Sequence, residues 1–466
     1  MSSAFRGYFP ALAACLFLAG CGDSPSSAVS SPGKTGIRMS ELDAANTGLD
    51  LVLTSGGAPS REILEVKGCG LALIDFDSDG DLDVFAPNGA TLESPERGPG
   101  CRLFENRGGL RFSDATERLG LQLRRWGFGV AVGDYDGDGF DDIYIACYGP
   151  NVLLRNKAGR GFEDVSDVAG VADGSWGTGC AFADTDGDGD LDLYVCNYLS
   201  FDPANPPARA AFKSTEVLGG PLGLPAQHDL LYENLGKGRF RDISKSAGIR
   251  AAPPAYALNV AILDLDGDSR QDIFVGNDKG WYPGQQPDTT YRNNGNGTFT
   301  NVGAAINTQV AIGAMGADFT DAFNDGGWDI FVSNTSAGHL FHVWNPNTMQ
   351  YDELAVTYGV QANIEGWAVN WLDYDNDGWQ DIYIGSSDYP GNKGLLFHQV
   401  SPLVFETVPL DDYFTHYRSH GVAVADFDRD GDLDMVVGHS THRCDGYPGD
   451  DCEDTNQVQF YENRLA

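Results

Sequence analysis

Short apolar runs alternate with acidic loops along most of this chain. Gly70-Leu-Ala-Leu-Ile, Gly129-Val-Ala-Val and Gly421-Val-Ala-Val each lead into such a loop, and Val84-Phe-Ala, Ile143-Tyr-Ile-Ala and Met435-Val-Val lead out of one. Runs this short, rich in β-branched and aromatic residues, are strands and not helices. Each acidic loop is therefore predicted to turn an antiparallel hairpin. A second unit recurs downstream, as in LLRNKAGRGFEDVSDVAGV from Leu153, LLYENLGKGRFRDISKSAGI from Leu230 and TYRNNGNGTFTNV from Thr290. It reads as a strand, a Gly-Asn turn and a fourth strand.

The loop is a nine-residue pattern, D-x-D-x-D-G-x-x-D, that recurs from Asp75, Asp134, Asp184, Asp264, Asp321, Asp373 and Asp426. Successive starts lie 59, 50, 80, 57, 52 and 53 residues apart. Near-constant spacing marks a repeat array, and the one long interval marks an insertion, assigned to residues 200–228 of the third repeat. Four strands repeated seven times predict an all-β fold, a seven-bladed β-propeller over residues 39–466. Gln457-Val-Gln-Phe-Tyr-Glu-Asn matches the third strand of a blade, and Leu51-Val-Leu-Thr is expected to supply the fourth and close the ring.

Charge sharpens this picture. The 466 residues hold 67 Asp plus Glu against 30 Lys plus Arg, a net charge of −37, and no basic run appears. A polyanionic nucleic acid would be repelled by such a chain. With 42% hydrophobic and 11% aromatic residues the chain is not an acidic disordered one either. Of the 67 acids, 31 stand in the seven loops. Carboxylates crowded in this way need a cation, and hard oxygen ligands in such number select calcium.

The calcium ligands expected are Asp75, Asp77, Asp79 and Asp83; Asp134, Asp136, Asp138 and Asp142; Asp184, Asp186, Asp188 and Asp192; Asp264, Asp266, Asp268 and Asp272; Asp321, Asp325 and Asp329; Asp373, Asp375, Asp377 and Asp381; and Asp426, Asp428, Asp430 and Asp434. The ninth residue would close the cage bidentately, and glycine at the sixth allows the sharp turn. In the fourth loop Ser269 replaces that glycine. In the fifth, Phe323 replaces the third-position ligand, so the Asp321 site is expected to be weak or empty.

By these loops the chain resembles the FG-GAP/VCBS repeat proteins, whose propellers include the integrin alpha-subunit head. It is similar in particular to the cartilage acidic protein and ASPIC/UnbV group. The run Glu65-Val-Lys-Gly-Cys-Gly-Leu-Ala-Leu-Ile-Asp, the strand openings Trp126-Gly-Phe-Gly and Trp176-Gly-Thr-Gly, and Leu-Tyr-Glu-Asn-Leu-Gly-Lys-Gly-Arg-Phe from Leu231 carry this resemblance. It spans roughly residues 39–466. Relatives of the ASPIC/UnbV type often carry a further C-terminal module, for which the residues after the last loop are expected to leave no room. The resemblance implies calcium loops on one face of the ring and a partner on the other.

Strand length names that other face. Trp126, Trp176 and Tyr256, with Lys67 at the same offset, stand at the far end of the first strands. Asn88, Cys147, Asn197, Asn277, Asn334, Ser386 and His439 stand at the far end of the second strands. Either the aromatics pack between blades and the amides cap turns, or both form a ring for a sugar or peptide partner. His416, His420, His439 and His442 fall in the last blade, and His420 with His439 is the weak candidate for acid/base work or metal binding. Nucleophile-elbow, metalloprotease, P-loop and dinucleotide motifs are absent from the sequence.

Arg6 and the apolar stretch from Phe9 to Gly20 read as a signal peptide, residues 1–20, too short to span a bilayer. Leu18-Ala-Gly-Cys21 looks like a lipobox with Cys21 as the lipidated residue, and residues 21–38 read as a flexible tether. Gly22 is not the inner-membrane retention residue, which favours the outer membrane. Among the other cysteines Cys444 and Cys452 bracket a short polar loop and are expected to pair, Cys69 with Cys101 and Cys180 with Cys196 are further candidate pairs, and Cys147 is the candidate left over. The function expected is a non-catalytic, lipid-anchored envelope module, a monomer or complex subunit, that binds a protein or carbohydrate through its non-calcium face. The alternatives are an exported enzyme acting on a polysaccharide or secreted metabolite, and a structural subunit of an envelope complex.

Overall fold

The computed structural model describes residues 38–56, 62–66, 68, 70–207, 210–212, 215–217, 220–334, 338–386, 393–410, 413–414, 419–439 and 458–464. The expected signal peptide, Cys21, Lys67, Cys69, His416, His442, Cys444 and Cys452 lie outside these residues.

Seven four-stranded antiparallel sheets form a β-propeller. The first strands, which line the centre, are Ala72–Ile74, Gly127–Gly133, Gly177–Ala183, Ala257–Leu263, Ala314–Thr320, Gly366–Leu372 and Ser419–Ala425. Each runs into an acidic loop and returns as a second strand that opens on the loop's last aspartate: Asp83–Ala86, Asp142–Cys147, Asp192–Asn197, Asp272–Asn277, Asp329–Asn334, Asp381–Ser386 and Asp434–His439. Third and fourth strands complete each blade, as Val152–Asn156 and Phe162–Asp164 do in blade 2.

Strand alternation explains how the blades cohere. Ile143 and Ile145 face blade 1 and pack on Ile74, Phe85 and Leu103. Their neighbours Tyr144 and Ala146 face blade 3 and pack with Phe182, Leu193 and Leu230. Successive side chains point to opposite faces of a sheet, so second strands sandwiched between blades are apolar on both sides. Seven such inter-blade cores result. The same geometry overturns one sequence expectation: Cys180 and Cys196 are buried but not bonded, because Cys180 points into the core toward blade 2 and Cys196 into that toward blade 4. Cys101 is also a buried thiol.

Glycine permits the close approach of strands around the axis. At Gly129 a Cβ would lie 1.9 Å from the Thr178 carbonyl oxygen of the next blade, a contact no side chain tolerates.

Ring closure differs from the expectation. The fourth strand of blade 7 is Met39–Leu42, paired antiparallel with Gln459–Asn463 through Met39 opposite Asn463 and Leu42 opposite Phe460. Leu51 and Leu53 are not in that strand. They stand with Leu49 in the wedge between blades 7 and 1, against Val84, Phe104, Val436 and Phe460. The Leu51 carbonyl accepts from Val458 N at 2.8 Å. The segment matches a strand in composition, but an apolar wedge there removes more surface from water than an outer edge strand would.

Deleting residues 39–42 is expected to uncover the Gln459–Asn463 edge and lower the midpoint of urea unfolding, with increased self-association on gel filtration. Leu51→Ala should cost about 2–5 kcal/mol in the same titration, as a large-to-small change in a packed core.

Candidate metal centres

All seven loops repeat one backbone design. In six of them the first aspartate accepts backbone N–H groups from the fifth and sixth residues, as Asp134 does from Asp138 N at 3.0 Å and Gly139 N at 2.8 Å, whereas Asp184 of the third loop accepts from Gly187 N and Gly189 N. The sixth residue has positive φ in every loop, from Gly80 at 88° to Gly431 at 97°. Ser269 adopts the same conformation at 67° without the freedom of glycine.

The ninth aspartate has a structural task that its spacing did not reveal. Asp142 Oδ2 accepts from Tyr135 N at 3.2 Å, inside the loop, and Oδ1 accepts from Asn156 N at 2.7 Å, at the end of the third strand. The Asn156 side chain then donates to the Phe76 carbonyl in the loop of blade 1 at 2.8 Å. Asn106, Asn234, Asn293, Gln399 and Asn463 make the same bridge to Phe427, Tyr135, Thr185, Ala322 and Tyr374. In blade 5 Trp344 holds that position and gives only its backbone N–H, to Asp329 at 3.0 Å.

One residue before this amide, the third strand faces the loop's third position. Glu105, Glu233 and Glu462 stand there in blades 1, 3 and 7, adding negative charge beside Asp77, Asp186 and Asp428. Arginine stands there in blades 2 and 4: Arg155 offsets the charge of Asp136, and Arg292 Nε lies 3.1 Å from Asp266. Arg270 also pairs with Asp268, so guanidinium groups hold two carboxylates of the fourth loop. In blade 5 Val343 is matched by Phe323, which packs on Phe341 and Tyr358, an apolar plug where the other loops carry aspartate. Blade 6 has His398 beside Asp375. Aligning the third strands on their asparagine would have exposed this position, but Gln399 breaks the alignment where the most unusual residue stands.

Carboxylate oxygens converge in these loops closely enough to hold a metal ion. One oxygen from each of Asp75, Asp77 and Asp83 lies within 4.8 Å of the others, as do those of Asp134, Asp136 and Asp142, of Asp184, Asp186 and Asp188, and of Asp264, Asp266 and Asp272. An all-oxygen set of this kind fits a hard divalent cation. Burial, with further contributions from neighbouring carboxylates, pushes the ninth aspartate up to about 8 in Asp83, Asp142, Asp381 and Asp434, about 7 in Asp329 and about 6 in Asp192 and Asp272.

On the face away from these loops the aromatics take the packed alternative and not the open ring. Trp126, Trp176 and Tyr256 are 0%, 1% and 2% exposed. They form one cluster with Phe128 and with Ile63, Leu64, Tyr198, Leu199 and Phe201, which cover them. These rings therefore cannot be an open surface for a partner: the segment after Asn197 and the turn at 63–66 fold over them. The residues ending the second strands are buried too, and their amides cap turns, as Asn88 does by accepting from Thr54 N at 2.8 Å. Exposed aromatics stand instead at Trp281 (54%) and Tyr282 (43%), packed edge to face in the loop between the second and third strands of blade 4. A cleft of about 340 Å³ lies between Tyr148, Trp176 and Phe201, with Glu96 and Arg125 at its edge. His420 stacks on Trp367 at 4.0 Å beside the central channel, and His439 is buried at the end of its strand.

Fold and loops define a seven-bladed β-propeller of acidic-loop repeats, and the FG-GAP-like repeat model matches residues 75–145, 134–195 and 264–332, which contain the first five acidic loops. Among known proteins the chain is similar to cartilage acidic protein 1 of Mus musculus, 26% identical over 213 residues, which are 43% of this chain and 31% of the relative. The Homo sapiens protein of that name is 25% identical over 213 residues, 43% of this chain and 30% of the relative. The chain thus matches less than a third of the length of these relatives. A solved Agrocybe aegerita lectin, described as recognising non-reducing terminal N-acetylglucosamine, aligns with a TM-score of 0.41 and 16% identity over 73% of this chain and 79% of its own.

Two outcomes test the division of labour within a loop. Asp142→Ala strands the N–H groups of Tyr135 and Asn156 and should cost about 2–5 kcal/mol by urea unfolding whether or not a cation is present. Asp138→Ala, at an exposed position, should destabilise only in the presence of the cation. The raised aspartates set a pH dependence. In chelator the folded chain holds protons that the unfolded chain releases, so their stabilisation is complete below about pH 4 and lost as pH rises through 6 to 8. The melting temperature in EDTA should fall over that window, and a saturating cation should abolish the fall.

Proposed function

We propose that the chain is a calcium-stabilised, non-catalytic binding module, exported and held at a bacterial envelope by lipid on Cys21, that engages a protein or carbohydrate on the face opposite its acidic loops. The observation that carries this reading is the separation of the two ends of the ring. Every blade turns its carboxylates to one end, and the exposed Trp281 and Tyr282 stand at the other. FG-GAP-like propellers commonly bind proteins, which supports a binding role. Calcium is favoured by the donor set of the loops and by their number, with affinity of the order of 10⁻⁴ to 10⁻³ M if the sites behave like other extracellular modules. The stacking of His420 and the burial of His439 support a role in packing and not in turnover.

Envelope attachment rests on Leu18-Ala-Gly-Cys21 and the apolar stretch before it. Among the described residues no helix is long and apolar enough to cross a membrane.

The surface for the partner is accordingly assigned to Trp281, Tyr282 and the segment over Trp176, not to the buried rings beneath. Envelope extract passed over immobilised protein in calcium should leave a ligand that Trp281→Ala protein retains at least tenfold less. Equal retention by the two proteins would overturn the assignment, and an unchanged melting temperature on adding EDTA at pH 8 would overturn calcium stabilisation.

A further inference from the structure

We propose that the sixth loop is a transition-metal site, which takes a borderline divalent ion such as zinc through His398, Asp375 and Asp377, in a ring whose other loops present carboxylate oxygens.

His398 lies on the third strand of blade 6, Gly394–Ser401, at the position that carries glutamate in blades 1, 3 and 7. Its side chain is 4% exposed. Nε2 stands 3.0 Å from Asp375 Oδ2, yet the orientation makes no hydrogen bond, and Asp375 Oδ1 is buried without a hydrogen-bond partner as well. Electron-rich atoms this close, removed from water, need a proton or a metal ion between or beside them. Tyr374 packs edge-on against the imidazole at 5.1 Å and holds the ring toward the loop. One donor atom from each of Asp375, Asp377 and His398 falls within 4.8 Å of the other two. Asp377 is exposed, which leaves an open side for the ion and its water.

The donor set decides the metal. Calcium takes oxygen ligands, whereas imidazole nitrogen with carboxylates suits zinc and its first-row neighbours. Elsewhere this facing position gives oxygen, a fixed guanidinium charge or a methyl surface; only His398 brings a nitrogen lone pair. This inference goes beyond the binding role proposed above and is independent of it. Calcium-dependent melting reports the remaining loops, so the two can fail separately.

The full chain, stripped with chelator and dialysed into millimolar calcium with a few equivalents of zinc or cobalt, is expected to retain one transition ion per chain. X-ray absorption of the cobalt-loaded protein should show nitrogen and oxygen donors. His398→Gln should retain at least tenfold less, and His398→Glu, which copies blades 1, 3 and 7, should lose the ion while keeping its calcium-dependent melting. Failure of the unaltered protein to retain the ion would overturn the proposal and leave a proton joining His398 to Asp375. Undiminished retention in either variant, or sulfur donors in the absorption spectrum, would overturn it too, by moving the ion to another site.

Discussion

The buried aspartate that ends each loop, from Asp83 in blade 1 to Asp434 in blade 7, ties together parts of the ring that are far apart in sequence. Its two oxygens take one N–H from the loop and one from the third strand, and in six blades the residue giving the second N–H reaches across to the preceding loop. A charged acceptor strengthens such bonds, and low dielectric makes the loss of either partner costly. Each blade is therefore gripped by its neighbour at the loop end. Where the grip lapses, at Trp344, aromatic packing against Tyr351 at 5.0 Å fills the space instead.

That arrangement sets the terms on which a cation acts. The same carboxylate that organises the backbone is buried among other carboxylates and resists ionisation. A divalent ion held there would relieve the repulsion and let the aspartate keep the charge that its hydrogen bonds favour. Occupation of the loops by a cation would thus be coupled to stability of the ring through one residue per blade. The facing position on the third strand sets the local charge beside the loop: glutamate adds to it, arginine offsets part of it, and the Phe323–Val343 pair replaces it with apolar contact.

The apolar plan of the molecule follows the same division. Inter-blade cores are fed from both faces of the second strands, so the ring does not depend on a single central core. The eighth cluster, around Trp126, Trp176 and Tyr256, closes the end away from the loops and draws on the segment after Asn197. Large aromatic rings gain most by leaving water, which explains why these residues are covered and why, among the described residues, exposed rings occur where a short turn, Trp281-Tyr282, carries them outward.

Read alone, the sequence determined the repeat, the number of blades, the placement of each acidic loop between two strands and the insertion in the third repeat. Those features are local: strand alternation, the left-handed turn at Gly139 and its equivalents, and carboxylates at fixed spacing recur within nine residues. What only the tertiary structure decided depends on neighbours distant in the chain. Met39–Leu42, not Leu51–Thr54, closes blade 7, because the choice turns on which segment fits the wedge between blades 7 and 1. Cys180 and Cys196 part company because adjacent blades claim opposite faces of one sheet. Trp126 and Trp176 are hidden by residues that fold over them, and His398 meets Asp375 only when the third strand pairs beside the loop. Short-range pattern specifies the element; burial and register against a remote partner specify what each side chain touches.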